Sequence, residues 1–221
     1  MTYDLKTLCA DYAQVDYRER LERVFRDFDR VLVTTSFGTT SVMLLHMLQQ
    51  VNPNHPVHFI DTTYHFPQTW EYAEKLTAEL GLVVKTVSPD GNLNGLTRQQ
   101  RAWKSDPDFC CYVNKVRPLQ SLKQQHQIWI SGMVGGADAN RRNRPIFENH
   151  GDIIRFYPFI DMSLEEAETY KLIYELPEHP LRAEGYGSVG CLHCTAKGEG
   201  REGRWAGKAK TECGLHKKSF V

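Results

Sequence analysis

The chain has 221 residues, 41% hydrophobic and 24% charged, which fits one domain with a buried core plus a tail and excludes a disordered polymer. Lys+Arg and Asp+Glu both number 27, so a bulk electrostatic grip on nucleic acid or on an acidic membrane is not expected. The apolar runs at 31–33 and 42–45 fall far short of the roughly 20 residues that span a bilayer. The start, Met1-Thr2-Tyr3-Asp4-Leu5-Lys6, lacks the basic and apolar stretches of a secretory signal, so the expected compartment is the cytoplasm.

In chain order, residues 3–28 read as helical, with Leu21, Val24, Phe25 and Phe28 on a shared face. Residues 30–35 read as a buried strand running into the small polar loop Ser36-Phe37-Gly38-Thr39-Thr40-Ser41, followed by a helix over 42–49. A second strand is predicted over 57–61, a helix over 67–80 stopped by Gly81, and a third strand over 82–87. A helix over 115–124 precedes a fourth strand at 128–132, and 153–157 reads as a fifth. Ser163-Leu164-Glu165-Glu166 is a capping-box signature that starts a helix to about 175. This alternation implies a parallel sheet with helices on both faces, binding its ligand beyond the carboxyl ends of the strands. The loop 36–41 and the Asp61 turn lie at that edge. From 177 onward apolar periodicity ends. Within 195–221 seven basic residues (Lys197, Arg201, Arg204, Lys208, Lys210, Lys217, Lys218) face three glutamates (Glu199, Glu202, Glu212).

Several motifs bear chemistry. Backbone N–H groups and hydroxyls in the loop 36–41 suit a phosphate or sulfate, although the Gly-Lys-Ser/Thr ending of a Walker loop is absent. The bland alternative is an ordinary capped turn. Gly185-Tyr186-Gly187-Ser188-Val189-Gly190 has dinucleotide GxGxxG spacing but follows no strand, and reads as a flexible turn. Six cysteines in a chain of this kind point to metal or redox chemistry over a disulfide framework. Cys191-Leu192-His193-Cys194 is followed by Thr195, which rules out a c-type haem site. With Cys110-Cys111 it offers four thiolates, enough for an iron–sulfur cluster or a structural zinc; two buried pairs without metal are the alternative. Cys213 stands near Lys210 and His216, neighbours that lower a thiol pKa. It is read as an exposed thiolate on a mobile segment, able to meet both a substrate and a reductant, or else as a spare surface thiol. Cys9, between Leu8 and Ala10, reads as a core residue. Arg141, Arg142 and Arg144 could bind an anion at the strand-end edge or be solvated. Lys115, four residues after Cys111, could lie one helical turn from the thiolates.

Together these residues resemble the assimilatory sulfonucleotide reductases, the adenylyl-sulfate and phosphoadenylyl-sulfate reductase family, over residues 30–216. The carriers are 185–195, Arg201-Glu202-Gly203-Arg204-Trp205, Lys210-Thr211-Glu212-Cys213-Gly214-Leu215-His216, the loop 36–41, and Ile60-Asp61-Thr62 with Phe66-Pro67-Gln68-Thr69. The resemblance implies an α/β fold of the adenine nucleotide alpha hydrolase-like, PP-loop type: an open, mostly parallel sheet with helices on both faces and a flexible C-terminal tail. Residues 1–190 would form the nucleotide-binding domain and 191–221 the cysteine-containing segment. It implies thioredoxin-dependent reduction of adenylyl sulfate to sulfite and AMP through an S-sulfocysteine, in assimilatory sulfate reduction. Cys213 would be the nucleophile, and Cys110, Cys111, Cys191 and Cys194 would hold one 4Fe–4S cluster with Lys115 beside it. Arg201, Arg204 and His216 would lie near the phosphosulfate. Ser36, Gly38, Thr39, Ser41 and Asp61 would bind the nucleotide, with Arg141 and Arg142 as further candidates.

The implied partners are adenylyl sulfate and a thioredoxin- or glutaredoxin-type reductant, with no nucleic acid and no membrane; homo-oligomerisation is left open. Two features depart from the family. Met133-Val134-Gly135-Gly136 stands where an arginine-pair loop often follows the strand, and the stretch from Trp205 to Lys210 is short and lacks a tryptophan run. The family alternative is phosphoadenylyl-sulfate reduction or dual specificity. An RNA-thiolating PP-loop enzyme would want an acidic residue where Thr39 and Thr40 stand, and a zinc-bound nucleotide sensor leaves the Glu-Cys-Gly-Leu-His ending without a purpose.

Overall fold

The N-terminal stretch is helical, as its periodicity predicts, and is divided into two helices, α1 (Leu5–Ala13) and α2 (Tyr17–Asp27). Asp16 divides them: its backbone is extended and its carboxylate accepts from the Glu19 N–H at 2.8 Å, capping the second helix. The computed structural model describes residues 3–137, 139–208 and 210–216. Lys217 and Lys218 of the basic tail lie outside the described residues.

β1 (Val31–Thr35) is buried along its whole length and leads into α3 (Ser41–Val51). β2 (Val57–Ile60) leads into α4 (Pro67–Leu80), which starts on a favourable N-terminal proline and ends at Gly81 in the left-handed region, φ 60°. β3 (Val84–Val87) is half-exposed, as an edge strand should be. Three short helices follow: α5 (Gly91–Gln99), α6 (Ala102–Ser105) and α7 (Pro107–Cys111). A π-helical turn over Tyr112–Val116 and a 3-10 turn over Arg117–Leu119 lead to α8 (Gln120–Gln125). β4 (Ile128–Ser131), α9 (Ala139–Arg142), the hairpin β5 (Phe147–His150) with β6 (Ile153–Phe156), and α10 (Leu164–Ile173) complete the elements, the last opened by the Ser163–Glu166 capping box.

The sheet order is β3-β2-β1-β4-β6-β5, parallel except for the edge strand β5. Alternate residues of each strand serve opposite layers. Val31 and Val33 join a large core with Leu21, Leu45 and Leu76, while Leu32, Trp129 and Ile153 pack with Leu119 on the other face. The chain winds outward from β1 through β2 to β3 and then resumes at β4 on the other side. The switch point therefore lies between the carboxyl ends of β1 and β4, where such sheets open a crevice. Among the described residues no helix is long and apolar enough to cross a membrane.

Candidate active site

The loop after β1 is shaped by its own hydroxyls. The Phe37 N–H donates to Thr35 Oγ1 at 3.1 Å, and the Ser41 Oγ–H donates to the Gly38 carbonyl at 2.6 Å. Phe37 sits at φ 47°, anchored by a fully buried ring. Thr40, at the N-cap of α3, makes no side-chain capping bond, so the helix start keeps donors for a ligand. The segment 187–190 closes over this loop: Thr39 Oγ1 donates to the Gly187 carbonyl at 3.3 Å. A Cβ on Gly38 would come within 3.1 Å of the Val189 carbonyl oxygen. The GxGxxG stretch is thus no dinucleotide fingerprint; as a turn it forms one wall of the crevice.

One cleft at the switch point brings together Ser36, Gly38, Thr39, Ser41, Lys115, Arg141, Arg201, Arg204, Cys213 and His216. Two of the residues singled out from sequence lie elsewhere. The Asp61 carboxylate accepts from the Thr63 N–H at 2.7 Å, closing a turn beneath the cleft and not lining it. Arg142 is exposed on α9, because a four-residue helix turns Arg141 inward and its neighbour outward. Sequence reading missed other lining residues, among them Thr62, His65, Gly132 and Met133. Their positions at strand ends were the available signal.

Cys213 departs from the exposed thiolate that was expected. It is buried, 9% exposed, because the tail is stitched to the body by polar contacts. Lys208 Nζ donates to the Trp103 carbonyl at 2.6 Å, and Lys210 pairs with Asp108. The Glu212 carboxylate accepts from Arg141 Nε at 2.7 Å and from Arg201 Nη2 at 3.1 Å. Burial works against ionising Glu212, but the Arg141 hydrogen bond and charge, joined by Arg201, hold it below the ordinary carboxylate range. Arg204 lies over the Trp205 ring at 4.5 Å, and its buried Nε finds no hydrogen-bond acceptor among the described residues. A buried guanidinium atom in that state suits an anion.

Lys115 Nζ donates to Cys213 Sγ at 3.2 Å. A hydrogen bond from Cys111 is the first cause holding Cys213 well below the usual thiol range; burial opposes it and the Lys115 ammonium reinforces it. Burial alone would depress Lys115, but Cys191, Cys213 and Cys111 outweigh it and keep the ammonium charged. Burial, followed by the positive field of Arg155, Arg141, Arg144 and Arg201, keeps His216 well below its ordinary pKa and hence neutral. The arrangement is a thiolate beside an ammonium, facing a cationic cleft.

Beneath Lys115 lies a second cavity lined by Cys110, Cys111, Cys191 and Cys194 together with Tyr64, Trp103 and Trp205. Thr62 Oγ1 is 3.3 Å from Cys191 Sγ, and Asn114 Nδ2 donates to Cys110 Sγ at 3.7 Å. His193 of the CxxC stacks on Trp103 at 4.0 Å, shielding the cavity. Burial and the neighbouring Cys191 and Cys194 push the Cys110 thiol up to about 11. Among the described residues no three His, Cys, Asp or Glu side chains converge into a formed metal site. The donor set itself fits a thiophilic metal group: four cysteines, no carboxylate, an apolar surround. Cys9 is half-buried and accepts from the Phe147 N–H at 3.2 Å, apart from both cavities.

Comparison with known proteins agrees with this geometry. The phosphoadenosine phosphosulfate reductase domain matches residues 30–197. An adenosine 5'-phosphosulfate reductase of Chelativorans sp. (strain BNC1) is 38% identical over 198 residues, covering 87% of this chain and 81% of the relative. One of Bacillus cereus (strain B4264) is 35% identical, covering 85% and 84%. Among solved structures, the phosphoadenylyl-sulfate reductase from Candida auris superposes with a TM-score of 0.77 at 22% identity, over 89% of this chain and 99% of that one. Yeast FAD synthetase gives a TM-score of 0.57 at 12% identity, over 89% and 70%, which shows that the two share a fold. The cysteine-bearing tail over the cleft beside the loop 36–41 and the likeness across most of the sequence lead to one conclusion: the chain belongs to the phosphoadenosine phosphosulfate reductase family.

Proposed function

We propose that this chain reduces adenylyl sulfate to sulfite and AMP with Cys213 as nucleophile. The observation that carries the reading is the Cys213 sulfur held 3.2 Å from the Lys115 ammonium within the cleft of the phosphate loop. The thiolate attacks the sulfur of the phosphosulfate, a Cys–S–SO₃ bond forms, and the S–O bond to phosphate breaks with its electron pair leaving on AMP. The P–O–S anhydride supplies a good leaving group, so the protein's task is to neutralise charge. Arg201, Arg204, Arg141 and Lys115 serve that role, with the N–H groups of the loop 36–41. A dithiol reductant of the thioredoxin or glutaredoxin type then attacks Cys213 Sγ. Sulfite departs with the bonding pair, and the second thiol of the reductant resolves the mixed disulfide, supplying two electrons in all.

Cys110, Cys111, Cys191 and Cys194 would hold a 4Fe–4S cluster, which would keep those thiols deprotonated and tie α7 to the CxxC loop; with Cys111 committed as a ligand its S–H hydrogen bond to Cys213 is given up, and the Lys115 ammonium is what stabilises the Cys213 thiolate. Iron and sulfide content separates it from zinc. In this reading residues 1–190 bind the nucleotide, 191–221 deliver the thiol, and the enzyme works in the cytoplasm.

The name of the Chelativorans relative supports adenylyl sulfate as the substrate. The family description supports the 3'-phosphorylated nucleotide as the alternative, and sulfite release from each nucleotide decides between them. Anaerobic incubation with substrate should add one SO₃ to the intact mass. Cys213→Ser should abolish that adduct while AMP still binds, and sulfite production by this variant would refute the assignment.

A further inference from the structure

We propose that Arg155 of β6 and Arg144 form a clamp that positions the thiol-bearing tail by gripping its main chain. The proposal rests on the reading of Cys213 as nucleophile; it adds Arg155, which no motif singled out, and gives Arg144, a candidate anion binder from sequence, a different role outside the cleft lining. Arg155 Nη2 donates to the Leu215 carbonyl, two residues beyond the thiol, and Arg155 Nη1 lies 3.4 Å from His216 Nδ1. Arg144 Nη2 donates to the His216 carbonyl at 2.8 Å. Both arginines stand outside the cleft lining. They would therefore act on the reaction through Cys213 and are positioning residues.

The anchor side is rigid. Arg155 is completely buried, its guanidinium lies 4.0 Å over the Trp129 ring, and its Nη1 donates to the Tyr157 hydroxyl at 3.1 Å. Trp129 is pinned in turn by its indole N–H, which donates to Thr34 Oγ1 at 2.8 Å. Arg144 pairs with Glu148 at 2.7 Å, and Glu148 also accepts from the Tyr157 hydroxyl at 2.6 Å. Among the described residues no carboxylate hydrogen-bonds Arg155: its donors go to a hydroxyl and the tail, its guanidinium lies on a ring face, and the buried Glu148 across the strand pair supplies countercharge from a distance.

Two consequences follow from gripping carbonyls. The clamp fixes the register of the main chain whatever the side chains do, which sets where Cys213 points. It is also reversible, because water can take the guanidinium donors when the tail lifts. A thiol that must meet a nucleotide inside the cleft and a reductant outside needs such a hold. Loss of one charge-assisted bond should shift the balance of docked and lifted tail on the order of tenfold.

The test uses the full chain, with alkylation of Cys213 by iodoacetamide followed at its own peptide. Arg144→Gln and Arg155→Met should each label faster, on the order of tenfold, and Arg155→Lys should label more slowly than Arg155→Met. In single turnover, formation of the S-sulfo adduct should slow by a similar factor, while its release by dithiothreitol should not slow and AMP affinity should stay at the wild-type value. If Arg155→Met does not fold, Arg144→Gln, at a partly exposed position, carries the test. Wild-type labelling rates in the folded variants overturn the clamp. Sulfite production by Cys213→Ser would overturn the reaction instead, and the labelling experiment, which needs no nucleotide, separates the two failures.

Discussion

Gly190→Ala tests the anion site without touching any charged residue. A Cβ built on Gly190 would sit 2.3 Å from Arg204 Nη1 and 2.5 Å from Arg204 Cζ, so the guanidinium must leave its seat. The atoms in the way are the tip of a flexible side chain, so the fold should survive. At Gly203, by contrast, a Cβ would meet the Ala196 carbonyl oxygen at 1.9 Å, and Gly203→Ala should disrupt the loop itself. Displacing Arg204 forfeits its contact over Trp205, worth roughly 0.5–2 kcal/mol. In the proposed reaction it also forfeits a charge-assisted bond to the phosphosulfate, worth about 1.5–3 kcal/mol. The second term alone predicts a loss of roughly 10- to 150-fold in kcat/KM. The assay is sulfite release under anaerobic conditions for wild type, Gly190→Ala, Arg204→Ala and the double variant. In the Arg204→Ala background the new methyl meets no guanidinium, so the two losses should not add. Additive losses, or wild-type kcat/KM in Gly190→Ala, would show that Arg204 is not seated by Gly190 for the reaction.

Glu212→Gln should keep the shape of the tail but weaken its hold on Arg141 and Arg201, slowing single-turnover formation of the S-sulfo adduct about tenfold; an unchanged rate would remove Glu212 from tail docking. Trp103→Ala removes the 4.0 Å stack on His193 over the four-cysteine cavity, and the iron of the proposed cluster should be lost faster to a chelator than from wild type. His179 is buried and pushed down from 6.5 to about 4 by burial, so it is neutral in the fold and binds its proton more readily when unfolded. Its contribution is complete above pH 6.5 and lost as pH falls toward 4, up to about 3 kcal/mol. Urea midpoints measured from pH 7 to pH 4.5 should fall accordingly, and the part due to His179 should vanish in His179→Gln.

Much of the scaffold was legible because its cause is local. The runs at 31–35, 57–60 and 128–131 are apolar strands buried on both faces, and Gly81 and Ser163 mark helix ends through backbone and capping chemistry. The misses have local causes too. β5 reads Phe147-Glu148-Asn149-His150, too polar to announce an edge strand, and α5 contains Gly91, Asn94 and Gly95, poor helix formers. The four cysteines could be grouped by type, and the structure gathers them around one cavity.

The tail was misread for a different reason. Residues 195–216 are rich in charge and glycine, which locally describes a solvated segment, and the expectation of an exposed thiol followed. What buries Cys213 is long-range contact: Lys210 pairs with Asp108, Glu212 with Arg141, and the Leu215 and His216 carbonyls with Arg155 and Arg144, while Cys213 packs with Cys111 and its neighbour Leu215 packs against Leu32, Ile60 and Trp129. None of those partners is near in sequence, and two of the contacts are to main chain that carries no side-chain signature. A segment held by hydrophobic burial would have shown its pattern and would also have been costly to release. One held largely by charge-assisted bonds shows little pattern and exchanges those bonds for water at modest net cost, as the proposed two-partner role of Cys213 requires.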